Sequence, residues 1–361
     1  MIYIINFLLV PLYYGLFRLL LPKRKADKWF IWIFAVHAIL FRALVYPFDF
    51  VDTYGYANAY HNISFCNFSQ AVLMDNRYTG WGRGYVAINW LLSRFSRNYM
   101  LLFILLSVGT VGGTVWFYAK TSYSYLLTAI LYLLYPMLYL MGFAVLRQHL
   151  AAVVILLALY NIKNYRVSLP LALLAVLLHT SAIVFLPFFL WRKLKFKRLH
   201  SVEIMALTVV VVILMRLLVG YILNVVGLFS SGRNTNFGSQ SISSNIMPVI
   251  IIGIPVVLAL ASGLFYRCRG RDYENLNFLA YGFAISLFGI GLYGAGRLTL
   301  YFLYVLPVAV TFLGYYCRDL RVVSNLCIAV IFALTIRQVY YMHTSWVLSY
   351  DYKFYWEMPK R

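Results

Sequence analysis

Apolar runs about twenty residues long recur down this chain, each cut off by a short polar or basic break. A helix needs about 20 predominantly apolar residues to cross a bilayer, within a range of roughly 17–25. Runs of that kind fall at 2–21, 29–48, 99–119, 123–142, 146–161, 168–191, 203–226, 246–265, 275–293, 298–316 and 322–342. The pattern predicts an all-α polytopic integral membrane protein with about 11 transmembrane segments, in a single integral membrane domain over residues 1–361. The first run, Ile2–Leu21, has neither a basic leader nor a small-residue cleavage site. It reads as a retained helix rather than a secretory signal.

Composition agrees. Charged residues make up 11% of the chain and hydrophobic ones 63%, whereas a soluble domain carries roughly 25% charged residues. The net charge of +21 would suit a nucleic acid, but the basic residues are dispersed. Lys23-Arg24-Lys25, Lys163/Arg166, Arg192–Arg198, Arg267/Arg269/Arg271 and Arg318/Arg321 each flank an apolar run. That is the positive-inside signature of cytoplasmic loops, so the expected partner is the lipid bilayer and not nucleic acid. The four cysteines (Cys66, Cys268, Cys317, Cys327) show no metal-ligand spacing, and no disulfide framework follows from them.

Loop charge then orients the chain. With 22–28 inside, the N-terminus is outside and the polar stretch 49–98 becomes a large outer loop, its Gly84–Phe95 part an amphipathic surface helix. Arg147 falls on the outer side, and 227–245 forms a second outer loop of lid-like Ser/Gly/Asn composition. One segment resists. A single crossing by 168–191 would put Arg192–Arg198 outside, against the rule. His179-Thr180-Ser181 splits that segment into two apolar halves, each about 16 Å long and near half a bilayer. A broken or re-entrant helical hairpin turning at His179 restores every later loop, and such breaks survive where they are buried in protein or line a cavity. The alternative lets 84–98 span and 168–191 cross simply, which puts Arg147, Lys163 and Arg166 on the wrong sides.

The unusual polar residues then collect on one face: Asp52, Tyr54, Tyr56, Arg83, Arg147, Gln148, His149, His179, Arg233 and Arg297. An arginine near hydrocarbon costs roughly 2.5–3.5 kcal/mol on insertion scales, and its planar fork suits phosphate. Arginines here outnumber the outer acids, which points to a phosphate-bearing substrate. Each residue also has a structural reading. Arg147 can cap a gap between two short helices, His179 can be satisfied by a backbone carbonyl, Asp52 can cap a helix, and Arg83 can hold headgroups. The many tyrosines serve interfacial anchoring as well as sugar contact.

The motifs Asp52-Thr-Tyr-Gly-Tyr, Gly84-Tyr-x3-Asn-x-Leu91, Arg147-Gln148-x2-Ala151, His179-x-Ser181-Ala182 and Arg297 ahead of Tyr301-Phe302 resemble those of the EpsG family of bacterial exopolysaccharide proteins. These are Wzy-like polysaccharide polymerases. The resemblance implies a multi-pass glycosyltransferase of the bacterial inner (cytoplasmic) membrane, its active site facing the periplasm or outside. It implies joining of polyprenyl-diphosphate-linked oligosaccharides, with no metal and no cofactor, and a flippase and a chain-length regulator as partners. On that picture Arg147 and Arg297 stabilise the diphosphate leaving group, and His179 or Asp52 takes the acceptor proton. Gln148, His149, Tyr54, Tyr56, Arg83 and Arg233 bind substrate. An oligosaccharide ligase with another acceptor would use the same face. A flippase or transporter would want charge along a path to both sides, and a structural export subunit would leave Arg147 and His179 unexplained.

Overall fold

The computed structural model describes residues 2–44, 52–74, 81–135, 137–193, 242–289 and 296–317, with scattered positions between 210 and 214 and between 325 and 337. Among them all regular structure is helical and there is no strand. The chain forms two compact units, one of Met1–Phe189 and Thr335–Arg361, the other of Leu190–Leu334.

In the first unit α1 (Ile2–Leu20) and α2 (Lys23–Ala43) form an antiparallel pair, tied near its turn by Tyr14 Oη donating to Asp27 at 3.0 Å. Two short helices follow, α3 (Thr53–Ile63) and α4 (Arg83–Ser93), with a π-helical turn at Ser69–Met74 between them. The amphipathic helix expected near 84–95 is α4, which buries Tyr85, Val86, Asn89 and Ser93 on one face. The long α5 (Met100–Thr121) packs on α2 and on α7 (Leu146–Tyr160). Its buried Ser107, Thr110, Thr114 and Thr121 hydroxyls donate to carbonyls one turn back, at 2.6–2.8 Å, so these four groups are satisfied within their own helix. Small residues draw helices together here: a β-carbon on Gly113 would overlap Val153 of α7.

Several expected spans are broken helices. The run 123–142 is α6 (Tyr125–Leu134) followed by a 3₁₀ turn at Leu140–Phe143. Pro136 lies just past the end of α6, and the residue before a proline is driven out of helical backbone. The run 168–191 is α8 (Tyr165–Leu178), a 3₁₀ turn at Thr180–Phe185, and α9 (Leu186–Lys193). The interruption expected at His179 is therefore present. In the second unit α10 (Ile242–Ala261), α11 (Leu264–Arg267), α12 (Arg271–Gly289), α13 (Gly296–Leu303) and α14 (Leu306–Tyr316) follow. Pro307 sits in the first turn of α14. Its ring would clash with the carbonyl of Leu303 in a continuous helix, which accounts for the break after α13.

Among the described residues one helix, α5, is long and apolar enough by itself to cross a membrane. Shorter apolar helices include α7, α8 and α14. Leu12, Leu19, Trp32, Val108, Leu177 and Ile183 are all exposed. An apolar surface on that scale marks contact with lipid or protein rather than water. The segments 203–226 and 322–342 lie wholly or mostly outside the described residues.

Candidate functional site

Arg147 stands on the first turn of α7, directly after the 3₁₀ turn that follows α6. Its guanidinium carbon lies 4.6 Å from the centre of the Trp81 ring and 5.7 Å from that of Tyr56. Arg147 Nε donates to Tyr56 Oη at 3.4 Å, a long and weak bond. Tyr56 comes from α3, Tyr85 from the first turn of α4, and Trp81 from just before its N-cap Gly82. The three rings pack edge-on and tilted at centroid separations of 5.4, 5.7 and 6.0 Å, within the usual range for aromatic clusters. Together they form a wall against which the arginine lies. Burial pushes the Tyr85 phenol far above its ordinary pKa, and the nearby Tyr56 adds to this, while Asn89 and the charge of Arg147 pull the other way.

The second component meets the same turn of α4 from the opposite side. α8 ends at Leu178, where His179 adopts extended backbone and its N–H closes the last turn on Ala175 O at 2.9 Å. A β-carbon on Gly84 would come 3.0 Å from Leu177 O, and one on Gly82 would lie 2.5 Å from Leu178 O. Only glycine lets the α4 N-terminus abut the α8 C-terminus this closely. The abutment sets the partial positive end of one helix against the partial negative end of the other. Trp81 and Tyr85, which carry Arg147, are thereby locked to the residues that immediately precede His179. His179 Nδ1 and Ser181 Oγ are 2.7 Å apart, a hydrogen bond that helps hold the ring.

Asp52 occupies the N-cap position of α3 with φ 69° and ψ −15°, and its side chain makes no capping bond. A left-handed conformation costs a non-glycine residue about 1–2 kcal/mol. Its carboxylate is exposed, one turn before Tyr56, whose N–H donates to Asp52 O at 3.1 Å. Tyr54 is 64% exposed and Tyr56 only 3%. Arg83 is exposed on the first turn of α4. Gln148 and His149 are enclosed in α7. Arg297 is the second residue of α13, in the other unit, and its side chain lies outside the described residues, as does Arg233.

Of the residues expected from sequence, the structure thus unites Arg147 with Tyr56 directly and with His179 through the 81–85 turn. Trp81 and Tyr85 were not foreseen as partners. Their signal was present in Gly80-Trp81-Gly82, a tryptophan between two glycines. No group of three or more potential metal ligands occurs among the described residues.

The EpsG family profile matches residues 28–354, nearly the whole chain. The chain belongs to the EpsG family. Membership makes it a membrane-associated protein with a polysaccharide polymerase-like role. The matched range includes Asp52, Tyr56, Trp81, Tyr85, Arg147 and His179. The chain matches no curated protein and no solved structure.

Proposed function

We propose that this EpsG protein is a membrane glycosyltransferase that joins polyprenyl-diphosphate-linked oligosaccharide repeat units on the outer face of the inner membrane. The observation that carries the reading is Arg147 laid on the Trp81–Tyr56 wall, beside the α8 end that leads into His179. Aromatic rings against a guanidinium hold it in place and partly shield it from water, which strengthens its charge toward a phosphate oxygen.

In the step that follows, a hydroxyl oxygen of the incoming unit attacks the anomeric carbon of the growing chain. The bond from that carbon to the diphosphate oxygen breaks, and its electron pair leaves with the polyprenyl diphosphate. Arg147 takes up that developing charge. The hydroxyl proton passes to His179 or Asp52. Ser181 Oγ, 2.7 Å from His179 Nδ1, orients the ring for that task. Tyr54 and Arg83, both exposed, meet the sugar. Gln148 and His149 act behind the first turn of α7, where they are enclosed. About 11 spans with a re-entrant turn at His179 give the orientation that this chemistry requires.

The test is to incubate purified, reconstituted protein with lipid-linked repeat units alone. Longer chains and free polyprenyl diphosphate are the expected products. Unchanged repeat units with an intact, folded protein would overturn the reading, and transfer only to a different acceptor would make the protein a ligase.

A further inference from the structure

At the end of the α3–α4 segment away from Arg147, a second cluster of arginines and rings is left uncovered. Arg97 places its guanidinium carbon 4.9 Å from the Phe65 ring centre, and Arg94 places its own 5.1 Å from that of Trp90. Phe68 meets Trp90 edge-on at 5.2 Å. Trp90 Nε1 donates to Cys66 O at 3.1 Å, and Arg94 Nη2 donates to Ser64 O at 2.6 Å, so α3 and α4 hold this face as one surface. Phe65 and Phe68 are exposed, and Phe95, beside Arg94 in sequence, is 78% exposed. Between Thr53 and Asn98 the chain has four arginines, no lysine and a single acid, Asp75.

We propose that the face formed by Phe65, Phe68, Trp90, Arg94, Phe95 and Arg97 docks the α3–α4 segment onto anionic phospholipid headgroups at the membrane surface. The composition is that of an interfacial anchor: bulky apolar rings to enter the acyl boundary and cations to meet phosphate. Arginine on a ring presents its N–H edge outward, the geometry that takes phosphate oxygens. A sugar platform would instead keep its ring faces open, and here a guanidinium covers one face of Phe65 and of Trp90. The anchor fixes the level of Tyr85, carried by the same α4, and of Trp81 just before it, at the headgroup layer. It rests on the family's membrane association and not on the polymerase chemistry.

The experiment uses the full chain with its native cysteines replaced and a spin label at Phe95→Cys, an exposed position that folding tolerates. The protein is placed in nanodiscs of phosphatidylcholine alone or of an equal mixture with phosphatidylglycerol. The label's accessibility to oxygen and to a water-soluble nickel chelate reports its depth. The expected result is a label at the headgroup–acyl boundary in the mixture, and a shift toward water in pure phosphatidylcholine. Adding Arg97→Glu, a residue that holds no α3–α4 hydrogen bond, shifts the label toward water in the mixture as well. Water-like accessibility in both lipids overturns the proposal, and so does a depth indifferent to lipid charge and to Arg97→Glu. A label that becomes ordered only when lipid-linked saccharide is added overturns it in favour of a sugar platform.

Discussion

The guanidinium of Arg147 lies 4.6 Å from the centre of the Trp81 indole, joining the first turn of α7 to the residue just before the α4 N-cap. A cation over tryptophan contributes about 0.5–2 kcal/mol, most where water is excluded. Trp81→Leu is therefore expected to slow polymer formation about 2- to 30-fold, with Trp81→Tyr recovering most of the loss. Initial rates of the purified variants on lipid-linked repeat units decide this. Equal rates for Leu and wild type would show that the stacking has no part in catalysis.

The glycines of α3 and α4 are expected to separate by position. Gly82→Ala drives a β-carbon into the carbonyls of Leu177 and Leu178, a backbone clash that must move a helix end. A destabilisation of about 1–3 kcal/mol follows. Gly84→Ala meets the same carbonyl at 3.0 Å and costs less. Gly55→Ala in α3 has nothing within 4 Å and gains helix propensity, so it is neutral or stabilising. Thermal unfolding in detergent should rank them in that order.

Arg42 and Gly142 make a second close pair. Arg42, on α2 and 2% exposed, donates through Nη2 to Gly142 O, and Tyr139 Oη donates to Ala38 O at 2.7 Å. Both bonds tie the turn before α7 to α2. A β-carbon on Gly142 would stand 2.7 Å from Arg42 Nη1. Gly142→Ala and Arg42→Gln should each lower the rate through misplacement of Arg147, and Arg42→Lys should restore part of it. Hydrogen bonds from a charged donor contribute about 1.5–3 kcal/mol, so a stability loss of that order should accompany Arg42→Gln. Unchanged rate and stability in both variants would contradict the link.

Asp52 invites a test that separates stability from function. Asp52→Gly relieves about 1 kcal/mol at positive φ, which offsets the extra unfolded-state freedom of glycine. Thermal stability should hold or rise while polymer formation falls. Asp52→Asn keeps the tolerance for left-handed backbone and loses the carboxylate, so it should behave alike. Full activity in the Asn variant would remove Asp52 as a base and leave His179.

Much of the fold was legible because it rests on local rules. Apolar run length located the helices, and loop charge demanded an interruption where His179 ends α8. The breaks after Leu134 and before Pro307 were readable in principle from the prolines in the sequence but were hidden by continuous hydropathy, which counts apolar residues and ignores missing N–H groups. The site was less legible. Arg147 stood out because a charge in an apolar run is expensive, and Tyr56 because it shares a motif with Asp52. Trp81, Tyr85 and the Gly82–Leu178 contact have no periodic signature, since each depends on a partner brought from another helix. Asp52 looked like an ordinary cap, and its left-handed backbone is visible only in three dimensions.

The most direct test of the central claim is Arg147→Lys in purified, membrane-inserted protein supplied with lipid-linked repeat units. Lysine keeps the charge but loses the planar fork and the stacking on Trp81. The account predicts a fall of about 100-fold or more in release of polyprenyl diphosphate, with no loss of insertion or folding. Wild-type release and wild-type chain lengths from the lysine variant would contradict it.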